Sequence, residues 1–304
     1  MCAHRAGYKK IGDYMKVKGI ILAAGKGTRM KSDTPKVLHK AAGRTMVEWA
    51  VNSASSVDSR PTVVVGHSKE MVMEILDGRA DFVFQQEQKG TGHAVIIAKD
   101  HIKGSDYTVI TYGDMILLKK ESIEKLVYLT IENNLDAAVL TAFADDPTGL
   151  GRIINDAEGY VEKIVEHRDA TQEQLKINEI NTGVFCFKSE VLLNALGKIG
   201  CDNSQGEYYL TDTVEIINKA GGKIKSAHCD ALEALGTNDR AQLALSAKEL
   251  RRRINNEHMI NGVTLIDPEN TYIDADVKIA NDTIIYPGCV IEGKTQIDSN
   301  CVIY

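Results

Sequence analysis

Apolar and polar positions along the first two-thirds of the chain follow two alternating periods. Short aliphatic and β-branched runs at residues 17–23, 62–65, 82–85, 107–111 and 137–142 read as buried strands. Between them, residues 45–56, 69–76 and 122–133 carry apolar side chains at three- and four-residue spacing, as amphipathic helices do. This order predicts a mostly parallel sheet covered on both faces. Residues 152–155 and 160–166 flank Asp156-Ala157-Glu158-Gly159 and predict a hairpin. A strand at 180–188, a helix near 211–220 and a strand at 224–227 follow. Helical periodicity over 237–254 puts Leu243, Leu250 and Ile254 on one side, with Arg251-Arg252-Arg253 at the helix end as a solvated run complementing the dipole.

The tail has another rhythm. Ile273, Ile279, Ile285, Ile291, Ile297 and Ile303 recur every six residues, and Val277, Thr283, Cys289, Thr295 and Cys301 recur between them. Antiparallel strands also place apolar residues at even spacings. A fixed six with Asp, Gly and Asn at the corners instead resembles the hexapeptide repeat of left-handed parallel β-helices, whose coils bury a core only by stacking. The sequence reaches Tyr304 inside a repeat, which reads as the start of a longer solenoid.

The candidate chemistry begins where the first strand ends, at Gly25-Lys26-Gly27-Thr28-Arg29 and then Pro35-Lys36. Two glycines let backbone N–H groups approach an anion, and Arg29 and Lys36 add positive charge, so the loop suits a triphosphate. It is not a Walker loop, which needs four residues between its glycines, nor the dinucleotide fingerprint, whose third glycine is replaced by Met30. A bare glycine pair after a strand also marks ordinary tight turns. Ligands of open α/β sheets bind beyond the carboxyl ends of the strands, where this loop and Gly113-Asp114 both lie. Asp114 alone reads as either a helix cap or a metal ligand. Gln85 alone reads equally as an exposed strand-end residue or a base-reading amide.

Composition narrows the class. At 304 residues, with 43% hydrophobic, the chain can form one large α/β domain and a smaller appendage. A net charge of −6 argues against nucleic acid or a membrane surface as partner, so anionic substrates need a local basic pocket. Cys2, Cys186, Cys201, Cys229, Cys289 and Cys301 form no C-x-x-C and no zinc spacing, and read as reduced thiols of a cytoplasmic protein. No apolar run approaches the ~20 residues of a membrane span. Residues 1–16 lack a signal-peptide core and read as a disordered extension, with Met15 an alternative start.

The string L-A-A-G-x-G-T-R-M-x4-P-K resembles the signature of sugar-nucleotide pyrophosphorylases. Together with PKVLH, QKGTGHA, YGD, DPTGLGRI, IVEHRDA, EINTG and NSQGEYYLTD, it makes residues 18–303 resemble the bacterial family of bifunctional N-acetylglucosamine-1-phosphate uridyltransferase/glucosamine-1-phosphate acetyltransferase. The resemblance implies a Rossmann-like nucleotide-diphospho-sugar transferase domain at 17–238, a helical arm at 239–264 and the first coils of a left-handed β-helix at 265–304. It implies uridylyl transfer from UTP to N-acetylglucosamine 1-phosphate in the cytoplasm, for peptidoglycan and lipopolysaccharide synthesis. Arg29 and Lys36 would stabilise transition-state charge. Asp114 and Asn238 would hold Mg²⁺. Leu22, Ala23, Ala24, Gly25, Gln85, Gly90 and Thr91 would face the nucleotide, with Tyr112 and Gly113 beside Asp114. Gly151, Glu166 and Asn181 would face the sugar. His93 and His167 read as structural neighbours.

The acetyltransferase residues would lie beyond Tyr304, so that activity is expected to be absent. The full-length family implies a homotrimer, and this chain leaves monomer and trimer open. Where the family has proline two residues after the metal-binding aspartate, this chain has Ile116. The alternatives are an ADP-glucose or dTDP-glucose type of transferase, disfavoured by NSQGEYYLTD and EINTG, and a non-catalytic sugar-nucleotide sensor, disfavoured by the presence of Arg29, Lys36, Asp114 and Asn238.

Overall fold

The computed structural model describes residues 15–304, so the extension expected at 1–16 lies, save its last two residues, outside the described residues. Packing divides the chain into two units: residues up to Lys26 with Ala50–Gly236, and Gly27–Trp49 with Thr237–Tyr304.

The first unit is built on a mixed sheet. Its strands are β1 (Val17–Ala23), β4 (Thr62–Val65), β5 (Asp81–Phe84), β6 (Tyr107–Tyr112), β7 (Ala137–Phe143), β10 (Glu179–Lys188) and β11 (Ile224–His228), while β2 (Lys40–Ala41) and β3 (Arg44–Thr45) belong to the second unit. The order is β11-β7-β10-β6-β1-β4-β5. Along this path β10 is the strand that runs against its neighbours: it pairs antiparallel with both β6 and β7, whereas the β1–β6, β1–β4, β4–β5 and β11–β7 pairs are parallel. The expected hairpin forms from β8 (Arg152–Asn155) and β9 (Val161–Val165), and Ile180 of β10 pairs with Arg152. Ile20, Ile110, Val139, Phe185 and Phe187 are fully enclosed in one core cluster, and each such side chain contributes about 1.5–3 kcal/mol of burial.

Two boundaries move for reasons invisible locally. β5 spans Asp81–Phe84, so Gln85 sits just past the strand. The helix expected at 122 starts at Lys120, because Glu233 accepts from the Lys119 N–H (3.0 Å) and the Ser122 hydroxyl (2.6 Å). Three further helices, Thr91–Ile97, Lys99–Ile102 and Ser189–Leu196, are not declared by the sequence pattern. The first opens on Thr-Gly-His, which has little helical propensity.

In the second unit, the helix Arg240–Ile260 starts on an Asp239 side chain that accepts from the Gln242 N–H. It runs six residues past the expected end at Ile254, so the three arginines are mid-helix and do not serve its terminal dipole. Instead Arg252 and Arg253 bind Glu249, holding its carboxyl down to about 2, and Arg251 stacks on Tyr272 at 4.4 Å. Beyond the helix, two-residue strands form three parallel ladders: Thr264–Leu265 with Ile284–Ile285 and Val302–Ile303, Tyr272–Ile273 with Val290–Ile291, and Lys278–Ile279 with Gln296–Ile297. Ile273, Ile285, Ile291, Val277 and Cys289 fill the interior of this stack. The six-residue period is therefore one side of a coil, and every third hexad returns to the same ladder. β2 and β3 form a small hairpin in this unit. Gly43 turns it at φ +84, where a Cβ would lie 2.6 Å from Asp274 Cγ, and Arg44 pairs with Asp276.

Candidate functional site

The candidate residues of the first unit gather beyond the carboxyl ends of β1 and β6. Leu22, Ala23 and Ala24 are buried, and the Leu22 carbonyl accepts from the Gly113 N–H at 3.0 Å, fixing the turn that carries Asp114. Asp114 is half-buried, and the next helix begins only at Lys120, so it does not cap a helix. Gly25 is exposed, and nothing lies within 4 Å of where its Cβ would stand.

Gln85 is 3% exposed, which rules out the exposed strand-end reading. Its Nε2 lies 3.1 Å from His93 Nδ1 and donates to the Gly90 carbonyl at 3.4 Å. His93 therefore orients this amide, as a structural neighbour would. Gly90 has φ +107, and a Cβ there would meet the Tyr208 carbonyl at 2.5 Å. Only glycine lets the chain pass. The Gly92 N–H then donates to Tyr208 O at 2.8 Å, and Thr91 Oγ1 accepts from the Leu210 N–H at 3.1 Å. QKGTGHA and NSQGEYYLTD are thus two sides of one contact. Gln88 is a residue that sequence reasoning does not single out: its Nε2 donates to the Ala24 carbonyl at 2.7 Å. Its signal is its place at the head of the QKGTGHA string.

Gly151, Glu166 and Asn181 come together on the β8–β10 side. Asn181 N donates to the Gly151 carbonyl at 2.9 Å, and a Cβ on Gly151 would lie 3.5 Å from both Asn181 Cβ and Glu166 Oε2. EINTG forms a register shift between Asn181 and Phe185 in β10. Asn181 Oδ1 accepts from the Gly183 N–H at 2.9 Å, and Thr182 donates to the Leu140 carbonyl at 2.7 Å. Gly183 has φ +86, and a Cβ there would strike Tyr112 Cε2 at 2.5 Å. Burial, and then the charges of Glu166 and Asp114, push the Tyr112 phenol above its ordinary value, against a hydrogen bond with Thr91. Tyr112 thus links the two halves of this site within the unit.

Burial also raises the Glu166 carboxyl, opposed by the Thr211 hydroxyl, which donates to Oε1 at 3.2 Å, and assisted by Asp169. Asp212 is pushed up to about 6, by burial first and then by Glu215, Glu166 and Asp169. Thr211 is another residue that sequence reasoning leaves out, although the NSQGEYYLTD string contains it.

The candidate residues of the second unit are Arg29, Lys36 and Asn238. Gly27 is left-handed (φ 61) and opens a 3₁₀ turn, Thr28–Met30, that buries Met30 and leaves Arg29 exposed. A Cβ on Gly27 would stand 2.4 Å from Lys36 Cβ. Lys36 Nζ donates to Asn238 Oδ1 at 3.0 Å, and Arg240 Nε donates to the Met30 carbonyl at 3.2 Å. The start of the long helix therefore holds both ends of the basic segment.

Among the described residues, no helix is long and apolar enough to cross a membrane, and no group of three or more His, Cys, Asp or Glu could hold a metal ion. A family model described as a MobA-like NTP transferase domain matches residues 19–176. The chain is 48% identical over 288 residues to the Bifunctional protein GlmU of Clostridium botulinum, covering 94% of this chain and 63% of that protein. Against the Bifunctional protein GlmU of Lactobacillus johnsonii the identity is 50% over 289 residues, covering 93% and 62%. Against that of Caldanaerobacter subterraneus it is 47% over 285 residues, also covering 93% and 62%. The chain thus spans a little over three-fifths of the length of the curated relatives it matches.

Proposed function

Because the chain belongs to the MobA-like NTP transferase domain family, we propose that it is a uridylyltransferase that makes UDP-N-acetylglucosamine and pyrophosphate from UTP and N-acetylglucosamine 1-phosphate. The observation that carries this reading is the convergence of Gly151, Glu166 and Asn181 beside Tyr112 and Asp114. It provides a carboxylate, an amide and a bare backbone, the groups that suit sugar hydroxyls and an acetamido group. The relatives' name, Bifunctional protein GlmU, supports the same direction.

In the proposed reaction a phosphate oxygen of the sugar 1-phosphate attacks the α-phosphorus of UTP. The new O–P bond forms as the bond to the pyrophosphate oxygen breaks. Such transfer depends on position and charge neutralisation. Arg29 and Lys36 would stabilise negative charge on the phosphates. The backbone of Leu22, Ala23, Ala24 and Gly25, with the Gln85 amide and the Gly90–Thr91 turn, would orient the nucleotide. Glu166, with its carboxyl held by Thr211, would accept from a sugar hydroxyl, and Asn181 would bind with either end of its amide.

The donors Asp114 and Asn238 are hard oxygens, one carboxylate and one amide. Each is a donor type that Mg²⁺ takes, with water and phosphate oxygens filling its shell, and the Asn238 oxygen would exchange the Lys36 ammonium for the ion. When bound, the ion would neutralise phosphate charge. We assign residues 265–304 to the opening coils of a left-handed β-helix, on the strength of the three parallel ladders and the hexad isoleucines inside them. The reading is tested with purified protein, Mg²⁺, UTP and N-acetylglucosamine 1-phosphate, alongside other triphosphates and sugar 1-phosphates. Pyrophosphate release confined to the first pair is expected. Release only with another pair, or none, rejects it.

A further inference from the structure

Arg152 is the largest fully buried side chain among the described residues, at 1% exposure, and the proposed reaction gives it no task. Its Nη1 donates to the Leu150 carbonyl and its Nη2 to the Leu175 carbonyl at 3.5 Å, while Nε has no acceptor among the described residues. Both hydrogen-bond partners are neutral main-chain oxygens, and the Asp146 carboxylate that acts on Arg152 through space is exposed. Burying a guanidinium for such partners is a poor source of stability, because an apolar side chain of similar length fills the volume without dehydrating a charge. What the planar fork does, and methionine cannot, is bridge two separate segments.

Those segments carry the sugar side of the site. The Leu150 N–H closes a turn onto the Pro147 carbonyl at 3.1 Å, immediately before Gly151. Leu175 lies in the 3₁₀ turn Gln174–Lys176, within the connection from Glu166 to Asn181. Asn181 in turn donates its N–H to the Gly151 carbonyl. One buried side chain therefore ties the approach to Gly151 to the connection between the other two residues.

We propose that Arg152 is a positioning residue that sets the sugar-side geometry by latching the Leu150 and Leu175 carbonyls. This rests on the reading of Gly151, Glu166 and Asn181 as the sugar 1-phosphate contacts. The latch makes no hydrogen bond to Gln85, Gly90 or Thr91, so its loss acts on one substrate and spares the other.

The test compares Arg152→Met and Arg152→Lys with the unaltered chain by steady-state kinetics and by hydrogen exchange of residues 147–150 and 171–176. In Arg152→Met, KM for N-acetylglucosamine 1-phosphate should rise roughly tenfold, about the effect of one charge-assisted hydrogen bond, with KM for UTP within about twofold. Exchange in both segments should quicken by a similar factor. Arg152→Lys, which keeps the charge but reaches one carbonyl, should recover part of both. Equal rises in the two KM values, or unchanged exchange, overturn the proposal. If Arg152→Met fails to fold, Arg152→Lys carries the same comparison with a smaller shift. If the unaltered chain turns over neither substrate, the uridylyltransferase reading fails, and the exchange data alone decide whether Arg152 latches these segments.

Discussion

The Lys36 ammonium donates to the Asn238 side-chain oxygen at 3.0 Å, joining residues 202 positions apart. Both partners are held. The Lys36 stem fills the space left by the missing side chain of Gly27, and the Asn238 N–H donates to Gln242 Oε1 at 2.8 Å. A charge placed this firmly suits the phosphate-binding role proposed for Lys36. Lys36→Ala should lower kcat by roughly 10²–10³, the usual cost of losing one stabilising donor. Asn238→Ala should lower it as well, and the double variant should lose less than the product of the two. Fully multiplicative losses would show that the two act independently.

Gly183 offers a sharper steric test. Its φ of +86 disfavours any side chain, and a Cβ would meet the Tyr112 ring at 2.5 Å. Gly183→Ala should cost about 1–3 kcal/mol of stability through backbone strain. Because Tyr112 must shift beside Glu166, KM for the sugar phosphate should also rise. Urea denaturation and initial rates measure the two effects, and an alanine variant with ordinary stability would contradict the close approach of Gly183 to Tyr112.

Much of this site is legible in the sequence, but unevenly. Strands with continuous aliphatic runs, such as 17–23 and 62–65, declare themselves by composition. The hexad isoleucines do the same for the coil, because a fixed six with Asp, Gly and Asn at the corners suits stacked turns better than antiparallel strands. Glycines at 27, 90 and 183 can be flagged as unusual, but what each avoids is set by the folded path of the chain: Lys36, Tyr208 or Tyr112. The burial of Gln85 and the start of the 120–132 helix are illegible for a related reason. His93 fixes the first, and Glu233, more than a hundred residues away, fixes the second. The arginine run misleads because the helix continues to Ile260 on packing against the coil, through Ile254 and Met259.

Asp114 tests the metal assignment. It sits in a turn tied to β1 through the Gly113–Leu22 hydrogen bond, which holds the backbone there. Asp114→Ala should abolish turnover and leave the thermal midpoint nearly unchanged. Chelation with EDTA should likewise stop the unaltered enzyme, and added Mg²⁺ should restore it. Full activity in EDTA would remove the role assigned to Asp114 and Asn238.

Asp212 gives a pH signature that does not depend on catalysis. Burial, followed by Glu215, Glu166 and Asp169, raises its carboxyl from 3.8 to about 6. Between those values the folded chain keeps a proton that the unfolded chain has released. The stability linked to this proton is therefore fully present below about pH 4 and is lost as pH rises through 6. Asp212→Asn cannot ionise. It should match the unaltered chain near pH 4 and exceed it at pH 8 by on the order of 1 kcal/mol, since partial exposure screens the rest. Glu215→Gln should narrow the gap by removing the largest like charge facing Asp212. Urea melts at several pH values measure both differences. A variant less stable than the unaltered chain at pH 8 would mean that ionised Asp212 makes a favourable contact outweighing its burial.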